Sequence, residues 1–429
     1  MIFIQIYKVK KGDTLTKIAK AYRTTPYSLT LYNQLSNPGN LSVGEHLLIL
    51  NPKEIYYVKQ GETLAQIAEN HGISLWKLLQ NNPQIVNYDL IYPGQRLVIS
   101  FEDSPERTIS VNGYAYPNID RDILRQTLPY LTYLTIFSYG FTNEGELLKI
   151  DDEELIAEAK RYGAGAIMLV SALTENGAFS NELASRLINS PEMQNSFIEN
   201  VIENMKEKGY IGLDMDFEFI YPQDAAAYAK LISRLKNCLN EEGFFLFVAL
   251  APKTSRNQTG LLYEGHNYYE LGNSSNVELI MTYEWGYTFG PPMSVAPINK
   301  VREVVEYAVS EISPSKIYMG MPNYGYDWPL PYVKGETRAE SISNVEAVER
   351  AFENNAEIMF DSLAQSPFYK YRKEGSEHEV WFEDAKSIDA KVSLAMEYNL
   401  AGLSYWNIMR PFLQNWMLLS NLVNINKIY

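Results

Sequence analysis

Cysteine is almost missing from this 429-residue chain, which holds one, Cys238. No intramolecular disulfide can form. Cys238 sits in a helical pattern and reads as a small packed hydrophobe rather than a reactive thiol. Histidine is nearly as scarce. The four residues, His46, His71, His266 and His378, are too scattered for a His/Cys zinc site. Basic charge is short as well: 37 Lys+Arg face 52 Asp+Glu, a formal net charge of −15. Such a chain repels phosphate backbones and anionic headgroups, which argues against nucleic-acid and membrane-surface partners. No apolar run approaches the ~18 residues of a membrane span. The first residues, MIFIQIYKVK, have no basic region, apolar core or small-residue cleavage site. No secretory signal is therefore read, and synthesis and release in the cytoplasm are expected.

What remains is an ordinary globular balance, 46% hydrophobic and 21% charged. The length corresponds to about three domains. Aromatics reach 13%, with 32 Tyr, a composition suited to handling carbohydrate.

The first hundred residues repeat. YKVKKGDTL at 7–15 returns as YYVKQGETL at 56–64. The match continues through Ile18/Ile67, Ala19/Ala68, Leu29/Leu78 and Asn33/Asn82, then Gly44/Gly94, Leu47/Leu97 and Ile49/Ile99. Each copy predicts a short strand, a Lys-Gly or Gln-Gly turn and a helix capped by Asp13 or Thr14 and their counterparts. A second helix near Ser28–Leu35 and a closing strand at Leu47–Leu50 complete the first βααβ unit. The units are expected at 1–51 and 55–100. The polar FEDSPER segment at 101–107 reads as a linker.

From residue 108 onward, apolar runs alternate with amphipathic stretches. The runs are Ile109–Tyr114, Leu131–Tyr139, Gly165–Ala172, Tyr210–Phe217, Phe244–Ala251, Val277–Tyr283, Lys316–Met321 and Ala401–Trp406. Helical patterns between them include Asp152–Tyr162, Met193–Lys208, Asp224–Glu242 and Lys300–Ser310. The expected fold is α/β, a (β/α)8 TIM barrel with an insertion near 329–384 between strands seven and eight. An open doubly wound sheet is the alternative, but no Gly-rich phosphate-binding turn follows the first run.

The fourth run reads YIGLDMDFE. Asp214, Asp216 and Glu218 alternate with apolar residues, so on a strand they share one face about 7 Å apart. In a barrel that face is the interior, near the C-terminal mouth. Three carboxylates this close cannot all ionise cheaply, so at least one pKa is expected to rise. Two other readings stay open at this level. One is an exposed edge strand. The other is a Ca²⁺ loop, although the glycine an EF-hand needs at its sixth position is here Phe219.

The two repeats resemble LysM modules, which bind β-1,4 glycans containing N-acetylglucosamine. The resemblance implies a groove between the first turn (Gly12, Asp13 and Thr14; Gly61, Glu62 and Thr63) and the loop after the second helix (33–41; 82–91). D-x-D-x-E at the end of strand four, Met281-Thr-Tyr-Glu284, Gly325-Tyr-Asp-Trp328 and Leu403-Ser-Tyr-Trp406 resemble glycoside hydrolase family 18. With TYEWGYTFGPP at 282–292, the whole chain is similar to the cortex-fragment-lytic N-acetylglucosaminidases of spore-forming bacteria.

That resemblance implies a retaining, substrate-assisted β-N-acetylglucosaminidase acting on peptidoglycan of the spore cortex and located on the spore. A chitinase or an inert glycan-binding coat protein is the alternative. The implied roles are Glu218 as acid, Asp216 as acetamide partner, Asp214 as its support and Tyr283 on the acetamide oxygen. Trp406 would be the floor of the sugar site, and Glu284, Trp285, Tyr139 and Tyr326 further sugar contacts. No metal or cofactor is required. The chain departs from the family pattern at Ile211, where a further Asp is frequent, at Glu284, usually Asp, and at Phe217, often Trp. Trp381, within HEVWFEDAKS, would either line the cleft or pack the insertion.

Overall fold

The computed structural model describes residues 4–102, 105 and 107–429. In the first module, strands Gln5–Lys8 and His46–Ile49 pair antiparallel around helices Leu15–Ala21 and Pro26–Tyr32. In the second, strands Pro52–Tyr57 and Arg96–Phe101 flank helices Leu64–Asn70 and Leu75–Asn81. Thr14 rather than Asp13 caps the first helix, accepting from Lys17 N. Thr63 does the same in a full capping box with Gln66. Val9, Leu15, Ile18, Leu29, Leu47 and Ile49 form the first module's core, each side chain contributing about 1.5–3 kcal/mol by burial.

The repeated asparagines are structural staples. Asn33 Nδ2 donates to Leu29 O and Leu48 O, both at 2.9 Å, while its Oδ1 accepts from Leu48 N. Asn82 repeats the pattern with Leu78 O and Val98 O and N. Each ties its second helix to the closing strand and satisfies groups that burial would otherwise orphan. Phe101 ends the last module strand, so the expected linker begins one residue later. Asp103, Ser104 and Glu106 of that linker lie outside the described residues.

Eight parallel strands then close a barrel. They are Thr108–Ala115, Tyr133–Phe141, Gly165–Ser171, Gly212–Asp216, Phe245–Leu250, Val277–Ile280, Ile317–Pro322 and Gly402–Trp406. The eighth pairs with the first, and the first with the second, so the ring has no open edge. Helices such as Pro191–Lys208, Ala225–Glu241 and Ile298–Glu311 wrap the outside. The (β/α)8 expectation is met and the open sheet is excluded.

The insertion is a five-stranded antiparallel sheet with one helix, Asn344–Glu353. It begins at Gly325, earlier than 329, because Gly325–Leu330 pairs with Ser376–Trp381 across a long chain separation. Ser366–Lys373 and Ser376–Trp381 pair as an antiparallel hairpin within it. Asp327 organises this sheet, accepting from Arg350 (2.5 Å), Tyr371 (2.5 Å) and His378 (2.9 Å).

Both modules are docked on the barrel unit. The second module uses Gln80 and Tyr130: Gln80 Nε2 donates to Pro129 O, and Tyr130 OH donates to Gln80 O. Trp76 covers Gly163, where a Cβ would fall 2.6 Å from its ring. The first module meets the insertion through His46 and Asp384 at 2.6 Å, and through Ile358 N, which donates to Val43 O at 2.8 Å. Gln414 also donates to Asn33 Oδ1 and His46 O.

Gly44 sits at this junction with φ +89, and a Cβ there would lie 1.9 Å from Ile358 O. Gly12, with φ +85, has open space around it. Gly44→Ala should therefore speed amide exchange at Ile358 by at least about fivefold, since a misfit at positive φ costs more than about 1 kcal/mol. Gly12→Ala bears only the backbone strain and should leave Ile358 protected. Hydrogen exchange on both variants checks this.

Candidate active site

Strand four positions the acids by simple alternation. Leu213, Met215 and Phe217 point outward, and Phe217 stacks between Phe141 (5.8 Å) and Tyr228 (6.0 Å). The other face enters the barrel. Asp214 is fully buried, Asp216 is half-buried, and Glu218, just past the strand, reaches the open cleft.

Asp214 Oδ2 accepts from Tyr114 OH at 2.7 Å. Asp214 Oδ1 and Asp216 Oδ1 have no hydrogen-bond partner among the described residues. Burial pushes Asp214 up to about 7, against the pull of the Tyr114 hydroxyl. Asp216 is driven well above the usual carboxylate range by burial and by the charges of Glu218 and Asp214. Glu218 is raised by desolvation and then by the nearby Glu284. The cluster thus retains protons near neutral pH, and its titrations belong to the group rather than to single residues. Ile211 packs against the apolar barrel interior that includes Ile167, Phe247 and Tyr318, so no fourth carboxylate joins the ladder.

A cleft of about 380 Å³ opens above these acids, lined by Tyr114, Asp216, Glu218, Tyr283, Trp285 and Trp406 among others. Trp406 is braced by Phe137 at 5.3 Å and Tyr114 at 5.5 Å, both edge-on. Glu284 also lines the cleft, in a left-handed backbone conformation (φ 68). Such conformations in a non-glycine residue persist only where surroundings impose them. Here the hydroxyls of Tyr324 and Tyr326 both donate to its carboxylate. Burial raises the Glu284 pKa, and the two hydroxyls oppose that rise.

The sequence expectations divide at this point. Asp216, Glu218, Tyr283, Glu284, Trp285 and Trp406 converge on one cleft, with Asp214 beneath. Tyr326 stands behind Glu284 and is 6% exposed, so its link to the cleft runs through that carboxylate.

Tyr139 requires a correction. A register irregularity between Ile136 and Tyr139 turns the strand over. The Tyr139 side chain is fully buried outside the barrel, where its hydroxyl donates to Asp152 beside Lys208 and Tyr210. Trp381 packs the insertion, stacked on Phe368 at 4.5 Å.

Gly12 and Gly61 make positive-φ turns. The Asp13 carboxylate is occupied by Tyr7 OH and Lys10 N, and that of Glu62 by Tyr56 OH and Lys59 N. Together with the capping by Thr14 and Thr63, these side chains serve the local fold. The loop after each second helix faces the barrel unit: Gln34 accepts from Leu413 N, and Val86 O accepts from Tyr162 OH.

Sequence reasoning missed Tyr114, Tyr324 and His266. Buried His266 accepts from Ala251 N at 2.9 Å and donates from Nε2 to Phe217 O at 3.1 Å, stapling the ends of strands four and five beside Glu218. Burial lowers its pKa to about 4, so it stays neutral and keeps one donor and one acceptor. No local pattern marks a lone histidine for this task. Among the described residues, no three His, Cys, Asp or Glu side chains are grouped to hold a metal ion.

Comparison with known proteins agrees with this geometry. Residues 131–410 match glycosyl hydrolases family 18, and residues 7–49 and 56–100 each match the LysM domain. The chain is 40% identical to a cortical fragment-lytic enzyme of Bacillus subtilis, over 99% of both chains. A Bacillus anthracis protein of the same description is 36% identical, again over 99% of both. The crystal structure of the Bacillus megaterium spore cortex-lytic enzyme SleL superposes with a TM-score of 0.84 at 37% identity, covering 99% of each chain. A chitinase from Chromobacterium violaceum shares the barrel fold at 22% identity and a TM-score of 0.68, covering 73% of this chain. The chain belongs to glycosyl hydrolases family 18 and carries two LysM domains ahead of its barrel.

Proposed function

We propose that this protein is a retaining, substrate-assisted β-N-acetylglucosaminidase that hydrolyses spore-cortex peptidoglycan or its fragments, and that it is located on the spore. The observation that carries this reading is the carboxylate ladder Asp214–Asp216–Glu218, buried at its base and open at its end, under a cleft walled by Tyr283 and Trp406. The relatives described as cortical fragment-lytic enzymes support the substrate.

In this scheme Glu218 protonates the glycosidic oxygen as the bond to C1 breaks. The carbonyl oxygen of the sugar's own acetamide forms the new bond to C1, giving an oxazolinium ion, so the protein supplies no nucleophile. Asp216 accepts the acetamide N–H and offsets the developing positive charge, and Asp214 supports it from below. The Tyr283 hydroxyl donates to the acetamide oxygen, and Trp406 carries the apolar face of the ring. Glu218 then takes a proton from water as it attacks C1, so configuration is retained. Preorganised charge at the oxazolinium contributes most of the stabilisation. The modules hold the glycan, and two linked weak sites gain avidity on a polymer.

Four outcomes are expected. Glu218→Gln should lower turnover of cortex fragments by about 10²–10⁴-fold while glycan pull-down persists; comparable turnover would remove Glu218 from the acid role. Products read by mass spectrometry with reducing-end labelling should show new N-acetylglucosamine ends from cortex, with chitin oligomers little touched. Efficient chitin cleavage would reassign the substrate, and substrates deacetylated at the cleaved sugar should react very poorly.

The fourth outcome concerns pH. Activity requires protonated Glu218 and is lost as pH rises through its pKa. The Glu284 carboxylate raises that pKa. Glu284→Gln should therefore move the alkaline limb of the kcat/KM profile to lower pH, whatever it does to the maximum.

A further inference from the structure

A second cavity, of about 260 Å³, lies where the first module meets the insertion, and it shares no lining residue with the cleft. One wall is the module loop Gln34–Asn37 with Asn40. The facing wall is one side of the helix Asn344–Glu353, where Val345, Val348, Glu349, Phe352 and Glu353 recur at helical spacing. Gly12, Asp13 and Thr14 of the module's first turn do not line it.

Three observations point to a ligand. First, two buried polar atoms on lining residues have no partner among the described residues, Asn344 Nδ2 and Glu383 Oε1, although these residues are 3% and 1% exposed. Their other atoms are satisfied: Asn344 Oδ1 accepts from Glu383 N at 2.9 Å, and Glu383 Oε2 accepts from Lys391 at 2.8 Å. Orphaned buried polar atoms are uncommon and call for an occupant or a task.

Second, Phe352 is an exposed aromatic ring on the same helix face as Glu349 and Glu353. An apolar face flanked by hydrogen-bond acceptors is the combination that receives a pyranose ring, with its C–H face on the aromatic and its hydroxyls toward the carboxylates.

Third, the charge is one-sided. Glu349, Glu353, Glu383 and Asp384 line the space, and the basic side chains beside it, His46 and Lys391, are already tied to Asp384 and Glu383. An anionic ligand is repelled. A neutral, hydroxyl- and amide-bearing one is not. Burial pushes Glu45 up to about 8, so near neutral pH it is largely a neutral acid.

We propose that this cavity binds a neutral N-acetylhexosamine unit of a glycan strand, in a site built jointly by the first module and the insertion. The proposal rests on the glucosaminidase reading above. It adds that sugars bearing a free carboxylate are refused here. Because both walls belong to one docked unit, a strand held in the cavity has a set position relative to the cleft.

The test uses the full-length Glu218→Gln protein with tetra-N-acetylchitotetraose and, separately, a galacturonic acid tetramer, read by hydrogen–deuterium exchange. The acetylated probe should slow exchange in 33–40 and 345–353 by at least about threefold, and the acidic probe should not. Adding Phe352→Ala or Asn37→Ala, both at exposed positions, should abolish that protection while leaving exchange elsewhere unchanged. Protection confined to the cleft and module turns, or equal protection by the acidic probe, would overturn the site. Turnover of cortex fragments by the wild-type chain is measured alongside. Turnover without cavity protection defeats this site alone, whereas cavity protection without turnover defeats the underlying reading and leaves a glycan site standing.

Discussion

Desolvation of the carboxylates on strand four is the constraint around which the catalytic half of the molecule is arranged. Closing eight strands into a ring forces alternate side chains into a narrow interior, and here two of those on strand four are acids. Burying charge is expensive unless it is paired or neutralised. The barrel supplies little pairing: Tyr114 meets one oxygen of Asp214, and the buried polar Asn112, Thr135 and Ser404 on neighbouring strands are hydrogen-bonded to one another. The acids respond by keeping protons. A carboxyl group that stays protonated near neutral pH is what proton donation to a leaving group requires. The stability cost and the chemical capability come from the same burial.

The surrounding groups hold that ladder in place. His266 fixes the strand ends beside Glu218, and the stack Phe141–Phe217–Tyr228 locks the outward side of the same strand. Tyr324 and Tyr326 hold Glu284 where its charge bears on Glu218. The site is a set of acids at different depths whose protonation is shared.

Both modules pack on the barrel unit. Asn33 closes its own module and also accepts from Gln414. Gly44 exists where backbone approaches backbone. Docking seats the loop after each second helix against the barrel unit, and in the first module it leaves a cavity between module and insertion. In the proposal made above, glycan recognition involves the insertion as well as the first module.

Much of this was legible in the residues. Period-two and helical patterns, the internal repeat and the D-x-D-x-E spacing are local, and local geometry decides which face a side chain takes. That is why the two modules and the eight strands followed from sequence, whereas the convergence of Glu218 with Tyr283 and Trp406 was only implied by the family resemblance. Tyr139 shows where alternation fails: one irregularity in strand two turned it to the outer layer. The insertion was expected only from about 329, because the strand partner of Gly325–Leu330 lies far along the chain. Tyr114, Tyr324 and His266 carry no local signature, since their importance comes from atoms brought to them by distant strands. By itself the sequence determined the elements, their order and the acids that could do chemistry. Only the tertiary structure decided which acids are stripped of water, which tyrosines reach them and how the modules seat, because burial and long-range contact exist only once the chain has closed on itself.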